Sequence, residues 1–524
     1  MTAILSAPSP SSACPCASLS PLPESRTVSL RGIGFTLSGL SADSRAVPAG
    51  GLFVAIPGVR QDGRAFIPAA VAAGATAVLA PEGTVWPAGS EHVLRLESPN
   101  VRQDFARLAA AFYSRQPERI VAVTGTNGKT SVVQFVRQIW NRLGRDAAAL
   151  GTVGRIASRA DGREEAHYGA MTTPDPVMLH QDLRALAEAG FGHVALEASS
   201  HGLDQYRLDG VSLSAAAFTN LTRDHLDYHQ TMDNYRAAKA GLFTRVLPAG
   251  ATAVLNADSP EFPALASLCQ ARGLRLWSYG ENAGAHLRLV ERQAGMEGQE
   301  LVLDVFGVRH RVRLPLAGAF QAANALAALG LVLAGVGEEQ VAAAVAALET
   351  LHGAKGRLER VAVHPCGAPV YVDYAHTPDA LETVLTALRP HVGNQLWVVF
   401  GCGGDRDPGK RPLMGGIAAR LADQVRVTDD NPRTEAAALI RRQVLEGCAA
   451  AGGEARIEEI GDRRAAIMAA VAGLQKGDLL VIAGKGHEPG QIIGTEVLPF
   501  DDSEAARAAV AAVSRGPNAG EDRA

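Results

Sequence analysis

The segment that most constrains this chain is Val121-Ala-Val-Thr-Gly-Thr-Asn-Gly-Lys-Thr-Ser-Val-Val133, where an apolar strand runs into a glycine turn and then into Lys129, Thr130 and Ser131. Glycines free backbone N–H groups to face phosphate oxygens, and the helix that follows offers the positive end of its dipole. Lys129 is spaced to reach the outer phosphates, and the Thr130 hydroxyl to ligate magnesium. The spacing departs from the usual G-x-x-x-x-G-K-[ST] pattern, because Val123 stands where the first glycine belongs. Strand, Gly-Lys-Thr turn and the amphipathic stretch Val132 to Leu143 nonetheless occur together, which predicts a nucleotide-holding α/β unit.

At 524 residues, and with one domain per roughly 100–200 residues, about three domains are expected. A formal charge of −4 supplies no basic field for a nucleic-acid backbone, so nucleic acid is not an expected partner. Cys14, Cys16, Cys269, Cys366, Cys402 and Cys448 are scattered without paired metal-ligand spacing, which suits free thiols in a reducing compartment. The Ser/Pro-rich start carries neither a basic run nor a long apolar one, so a disordered leader is expected and not a signal or an anchor. Ala-rich runs such as Val341 to Leu348 are too short to span a bilayer. A cytoplasmic protein without a membrane partner is the expectation.

Alternation of short apolar strands with helical stretches divides the chain. Residues 1–26 read as leader, 27–118 as a first α/β domain, 119–352 as the phosphate-loop domain, 353–514 as a third α/β domain and 515–524 as a tail. Strands are predicted at Leu52 to Ile56, Ala77 to Ala80 and Val93 to Leu96, then at Val194 to Glu197, Ala215 to Thr219 and Ala253 to Asn256. In the third domain they fall at Val370 to Asp373, Leu396 to Phe400, Gln424 to Thr428 and Leu479 to Ala483, with helices at Pro378 to Leu388 and Glu435 to Ala450. Ligands of such sheets bind at the carboxyl ends of the strands, so the polar residues there carry the chemistry.

Leu196-Glu-Ala-Ser-Ser-His-Gly-Leu203 ends one strand with a carboxylate, placing Glu197 as a direct or second-sphere partner of a hard cation near Thr130. Thr219-Asn-Leu-Thr-Arg-Asp-His-Leu-Asp-Tyr-His229 offers His225 and His229 equally as metal ligands or as loop hydrogen-bonders. Arg236 and Lys239 lie three apart, on one helical face. Four further loops, Val372-Asp-Tyr-Ala-His-Thr-Pro378, Gly401-Cys-Gly-Gly-Asp-Arg-Asp407, Asp429-Asp-Asn-Pro-Arg433 and Gly484-Lys-Gly-His-Glu488, each follow an apolar strand. They should gather along one edge of a parallel sheet. Gly403-Gly404 is too short for a dinucleotide fingerprint.

Taken together, Thr124-Gly-Thr-Asn-Gly-Lys-Thr130, Glu197-Ala-Ser-Ser-His-Gly202, Asn220-Leu-Thr-Arg-Asp-His225, Asp373-Tyr-Ala-His376 and Asp430-Asn-Pro-Arg433 resemble segments of the Mur ligases, in the same order. The resemblance implies an N-terminal UDP-binding α/β domain, a central P-loop ATPase domain with a mostly parallel sheet, and a C-terminal Rossmann-like α/β domain. It implies an ATP- and Mg2+-dependent amide ligase of peptidoglycan precursor synthesis, acting as a monomer. That enzyme would join meso-diaminopimelate to UDP-N-acetylmuramoyl-L-alanyl-D-glutamate through an acyl phosphate.

Carried over residue by residue, the resemblance puts ATP on Gly125, Thr126, Asn127, Gly128, Lys129, Thr130, Ser131, Asn324, Arg357 and Asp373. It puts the UDP-muramoyl dipeptide on Ala42, Ser44, Val59, Arg60, Gln61, Thr172, Thr173, Ser199, Gln205 and Arg207. Arg406, Asp430, Asn431, Pro432, Arg433, Gly484 and Glu488 match the diaminopimelate site. Magnesium is implied at Thr130, Glu197 and His225, with Lys239 as a carbamylated lysine (N6-carboxylysine). Gln321 replaces a more usual Asn, and Ala354-Lys355 stand where a proline is more common.

Overall fold

The strand Arg119–Thr124 is flanked on both sides by parallel strands, His193–Glu197 and Leu213–Phe218. This triplet is the middle of an eleven-stranded sheet in a computed structural model that describes residues 25–515, apart from 59, 60, 170, 336, 338 and 339. Parallel pairing continues outward to Ala147–Gly151 on one flank and to Thr252–Asn256 and Arg275–Gly280 on the other. Burial on both faces explains why these strands are apolar runs rather than alternating ones. Val121 and Val123 pack under the helices Lys129–Arg142 and Ala319–Leu333, through Phe135, Ile139, Trp140 and Leu326. Ile120 and Ala122 point the other way, into a layer with Leu179, Leu183 and Leu203.

Antiparallel strands extend both edges. Glu164–His167 pairs with Gly154–Ser158 at one end, and Leu287–Gly295, Gly298–Val305 and Val308–Leu314 form a meander at the other. That meander escaped the sequence reading because its strands are half exposed and rich in charge; opposite charges face each other as Asp304 with Arg309 and Glu300 with Arg313.

Before this sheet lies a four-stranded parallel one, Leu40–Ser41, Leu52–Val54, Ala77–Pro81 and Leu94–Ser98, with helices Ile67–Ala72 and Val101–Tyr113. A hairpin of Arg26–Leu30 and Ile33–Leu37 precedes it. After the central sheet, residues 351–358 carry neither helix nor strand. A six-stranded sheet then runs Glu359–Val363, Pro369–Asp373, Leu479–Ala483, Leu396–Phe400, Gln424–Val427, Arg456–Glu459 in spatial order, all parallel except the first pair. The strand from late in the chain is therefore inserted at its centre, and all four chemistry-bearing loops leave neighbouring strands at the same edge. The mixed α/β class expected from the sequence holds throughout. Among the described residues no helix is long and apolar enough to cross a membrane.

Several hydrogen bonds tie the units together, among them the following. Gln103 Nε2 donates to Asp209 Oδ1 at 2.8 Å, joining the first unit to the central one. His391 accepts from the Gly318 N–H at 2.9 Å and donates to the Gly295 carbonyl at 2.7 Å, joining the last unit to the central one. Burial holds this imidazole below its ordinary pKa, which keeps the accepting nitrogen free of a proton.

Arg463 and Asp502 form a fully buried two-bond pair, Nε to Oδ1 and Nη2 to Oδ2, both 2.7 Å. The same guanidinium donates to the carbonyls of Ala483 and Asp429, so it ties the helix Asp502–Arg515 to two of the four loops. Removing one partner strands the other charge in the interior. Asp502→Ala should therefore destabilise the last unit by about 3–5 kcal/mol; a melting temperature within a degree of the parent would contradict this.

Candidate active site

The turn after Thr124 closes on itself and on its neighbours. Gly125 adopts φ +147° and Gly128 φ +87°, conformations that favour glycine. A Cβ on Gly125 would lie 1.9 Å from Thr219 Oγ1, and one on Gly128 would lie 2.3 Å from Asn324 Oδ1. Asn220 holds the loop from outside, accepting the Thr126 N–H through its carbonyl at 2.8 Å and the Asn127 N–H through its side chain at 3.0 Å. Thr130 and Ser131 are buried at the start of the helix.

Two lysines converge on one carbonyl. Lys129 Nζ donates to Gly125 O at 2.9 Å and to Thr126 O at 2.7 Å, while Lys239 Nζ donates to the same Gly125 O at 2.7 Å. Lys239 is buried and lies 4.4 Å from the centroid of the Tyr235 ring. Among the described residues the lysines in ion pairs are Lys355 and Lys485, so these two ammonium groups lack an acidic partner. Burial first, and then the neighbouring Lys129, holds Lys239 well below the ordinary lysine value. Lys129 is lowered by burial, with Glu197 and Asp224 opposing the shift.

Glu197 is buried at the end of its strand. It accepts the Thr152 N–H at 2.8 Å and the Thr152 hydroxyl at 3.1 Å; that hydroxyl also meets Thr172 Oγ1 at 3.0 Å. Thr173 Oγ1 donates to the Glu197 carbonyl and receives the Ser199 N–H. Arg207 reaches the Thr173 carbonyl at 2.5 Å and Gln205 Oε1 at 2.7 Å, and Gln205 reaches the Tyr228 hydroxyl at 3.2 Å. Thr172, Thr173, Ser199, Gln205 and Arg207 thus form one hydrogen-bonded wall beside Glu197.

His225 is exposed, in the left-handed region at φ +50°, and its N–H is held by Asp224. Its ring meets His201 at 4.9 Å, and His201 meets the buried His229 at 5.5 Å. His229 lies 5.1 Å from Tyr235, whose hydroxyl is 3.2 Å from Thr126 Oγ1, linking this histidine cluster to the phosphate loop. Among the described residues no three His, Cys, Asp or Glu groups are arranged to hold a metal by themselves. A cation here would need the Thr130 hydroxyl and phosphate oxygens beside Glu197, a hard-oxygen set that suits magnesium.

In the last sheet, Asp373 accepts the Leu358 and Ala375 N–H groups at 2.7 and 2.8 Å, and burial raises its carboxyl above the ordinary range. Gln321 Oε1 accepts from Asn324 at 3.0 Å, and Gln321 Nε2 reaches the Arg357 carbonyl at 3.4 Å; Gln321 thus bridges the helix Ala319–Leu333 to the linker. Arg357 lies 4.7 Å over the Tyr374 ring.

Asn431 Nδ2 donates to Glu488 at 3.0 Å. Arg433 sits at φ +51°, and its guanidinium donates to the Gly404 carbonyl at 2.8 Å. Asp430 is buried, its Oδ2 has no hydrogen-bond partner, and a Cβ on Gly484 would come within 2.7 Å of that oxygen. Arg406 is exposed, its Cγ 3.7 Å from where a Gly403 Cβ would stand, with Arg433 Nη1 at 2.9 Å. Pro432 is buried beside Gly404.

In the first unit Ala42 is exposed and Ser44 half-buried, next to an Asp43–Arg45 pair that holds the Asp43 carboxyl down at about 2. Gln61 is exposed, its carbonyl accepting the Gly58 N–H. Val59 and Arg60 lie outside the described residues.

Three family models match the chain: "Mur ligase family, catalytic domain" at residues 36–113, "Mur ligase middle domain" at 123–332 and "Mur ligase, glutamate ligase domain" at 356–486. A curated relative from Caulobacter vibrioides, named UDP-N-acetylmuramoyl-L-alanyl-D-glutamate--2,6-diaminopimelate ligase, is 54% identical over 89% of this chain and 94% of its own. The chain belongs to the Mur ligase family. A relative of the same name from Bradyrhizobium diazoefficiens is 51% identical over 91% of this chain and 95% of its own. A solved structure with that name matches at a TM-score of 0.68 and 36% identity, covering 91% of this chain and 95% of that one.

Sequence reasoning missed several groups of this Mur ligase. Thr152, on the far side of Glu197, gave no signal, because a lone threonine after a strand is commonplace. Tyr235 was passed over although it begins the Tyr-Arg-Ala-Ala-Lys segment already singled out. Lys485 lay unassigned between two glycines of a loop that was otherwise read for Gly484 and Glu488. For the phosphate loop, Gly125→Ala should weaken ATP binding by about tenfold or more, since the new methyl meets the Thr219 hydroxyl and the Asn220 backbone at a strained φ. Nucleotide titration with unchanged affinity would refute that steric argument.

Proposed function

We propose that this Mur ligase uses ATP and magnesium to join meso-diaminopimelate to UDP-N-acetylmuramoyl-L-alanyl-D-glutamate in peptidoglycan precursor synthesis, as a cytoplasmic monomer. The observation that carries the reading is the pair of acid-free lysines on Gly125, Lys239 buried and Lys129 half-buried, beside Glu197 and the wall that ends at Arg207. Such a loop gains its counter-charge from a triphosphate. The names of relatives near half identity supply the substrate class.

A free carboxylate is a poor electrophile. In this reading the D-glutamyl carboxylate oxygen attacks the γ-phosphorus, the bond to ADP breaks, and an acyl phosphate forms. The amine of diaminopimelate then attacks the acyl carbon, phosphate departs, the nitrogen loses a proton, and an amide remains. Lys129 offsets the charge on the transferred phosphoryl group. Magnesium, when bound near Thr130, Glu197 and His225, would supply further neutralisation. Thr172, Thr173, Ser199, Gln205 and Arg207 would orient the dipeptide, with Ala42, Ser44, Val59, Arg60 and Gln61 on the UDP-muramoyl end. Asn324, Arg357 and Asp373 would hold the adenosine side. Excluding water from the acyl phosphate requires the last unit to close over the central one.

Lys239 supports the carbamate reading. Its amine is buried and held below the ordinary lysine value, so it is available uncharged to attack carbon dioxide, forming a carbamate and releasing a proton. The product carboxylate would offset the excess positive charge around Gly125. Lys239→Ala should be inactive and partly rescued by short carboxylic acids; a rescue-free loss together with an unmodified mass for the parent protein would rule the carbamate out.

On the amino-acid side, Arg433 is held in a conformation uncommon for a side chain of its size, a strain of the kind that functional sites retain. A guanidinium grips a carboxylate through two parallel charge-assisted hydrogen bonds, and L-lysine lacks the distal carboxylate of diaminopimelate. Ligation should favour diaminopimelate over lysine by roughly 10⁴, and Arg433→Ala should erode that preference. Comparable efficiency with lysine in the parent enzyme, or an unchanged preference in the variant, would overturn the substrate assignment.

A further inference from the structure

Lys485 is among the most deeply buried charged side chains of the described residues, at 1% exposure. Its Nζ donates to Asn431 Oδ1 at 3.0 Å and to Glu488 Oε2 at 3.2 Å. Asn431 is thereby fixed at both ends: its Oδ1 also accepts the Ile492 N–H at 2.9 Å, and its Nδ2 donates to the same Glu488 oxygen. One ammonium thus joins the loop after Gln424–Val427 to the loop after Leu479–Ala483. A buried charge is a costly way to brace two loops, because apolar groups of similar volume usually do as well. Its retention points to a use for the charge.

That use follows from the groups around it. Arg433 and Lys485 stand against Asp430 and Glu488, while on the neighbouring loop the exposed Arg406 lies between Asp405 and Asp407; no cation is in surplus here, so loss of Lys485 tips the local balance toward negative. Nearby, Arg463 pairs with Asp502 and Arg411 with Glu435, while Arg441 is shared between Asp429 and Glu459. Burial raises the Asp430 carboxyl above its ordinary range, while Arg463 and Lys485 oppose the shift and Glu488 and Asp502 add to it. Lys485 therefore favours the charged form of the Asp430 carboxylate.

We propose that Lys485 is a positioning and specificity-determining residue of the amino-acid pocket. Its ammonium fixes Asn431 and Glu488, and its charge turns away L-lysine, whose distal end is a bare cation, while tolerating diaminopimelate, whose distal ammonium and carboxylate cancel. This deepens the substrate reading above and rests on it. Electrostatics distinguishes it from simple bracing. A brace lost affects both amino acids alike, whereas a charge lost favours the cation.

The test measures kcat/KM for diaminopimelate and for L-lysine, with KM for ATP, in the full-length enzyme and three variants. Lys485→Met should raise KM for diaminopimelate and cut the diaminopimelate-to-lysine preference by about tenfold or more, the size expected for one charge a few ångströms away in a partly screened site. KM for ATP should stay unchanged. Lys485→Arg should keep the preference. Glu488→Gln, which retains Lys485 and makes the pocket more positive, should raise it, and keeps the proposal testable if Lys485→Met does not fold. An unaltered preference in Lys485→Met, an equal loss in Lys485→Arg, or a lowered preference in Glu488→Gln would overturn the proposal. If the parent enzyme fails to ligate diaminopimelate at all, the substrate reading falls instead, and the two failures are told apart.

Discussion

The structure is organised around a charge imbalance at Gly125. Its carbonyl receives the Nζ groups of two lysines, one from the phosphate loop and one from the helix Met232–Gly241, with no carboxylate bound to either. Desolvated cations without counter-ions are expensive. Thr219 and Asn220, at the end of a central strand, and Asn324, on the helix Ala319–Leu333, crowd the loop and fix its shape around the two lysines. A bound polyanion would supply the missing counter-charge, and fixed positive charge of this kind is what electrostatic stabilisation of phosphoryl transfer demands.

The last sheet solves a different problem. Its pocket groups come from four separate loops, which must agree in position to within a fraction of an ångström. Insertion of Leu479–Ala483 between Pro369–Asp373 and Leu396–Phe400 brings the loops to one edge. Two buried cations then knit them: Arg463 through the carbonyls of Asp429 and Ala483, and Lys485 through Asn431 and Glu488. Backbone carbonyls and side-chain amides hold these cations as much as carboxylates do, which leaves Asp430 Oδ2 free of protein partners.

Much of this was legible in the sequence because it is local. Strand Leu396–Phe400, strand Leu479–Ala483 and helix Pro378–Leu388 fall where apolar runs and a Thr-Pro start place them; Thr377 caps that helix by accepting the Ala380 N–H. The meander Leu287–Leu314 was not read from the sequence: its buried residues, Leu287, Leu289, Leu301, Leu303, Val305, Val312 and Leu314, alternate with more exposed, often charged ones, and that density of charge masks the apolar period. Nor were the partners of Glu197 and Lys239, which come from distant segments: Thr152 and Gly125 are neighbours only once parallel strands have set their register. The family resemblance located residues but not their bonds, and Lys485 shows the difference.

The helix Ala319–Leu333 has its Gly318 cap pinned by His391 from the last unit, while Asn324 on its second turn presses against Gly128. A rigid rod therefore joins the phosphate turn to the bearing on which the neighbouring unit is mounted. A shift of the loop as small as a bond length cannot be absorbed by the few residues in between. It must appear as tilt, multiplied by the distance from His391 out to the four loops at the edge of the last sheet. Substitutions along the buried side of this rod are thus read twice, once at the phosphate loop and once at the edge of the last sheet.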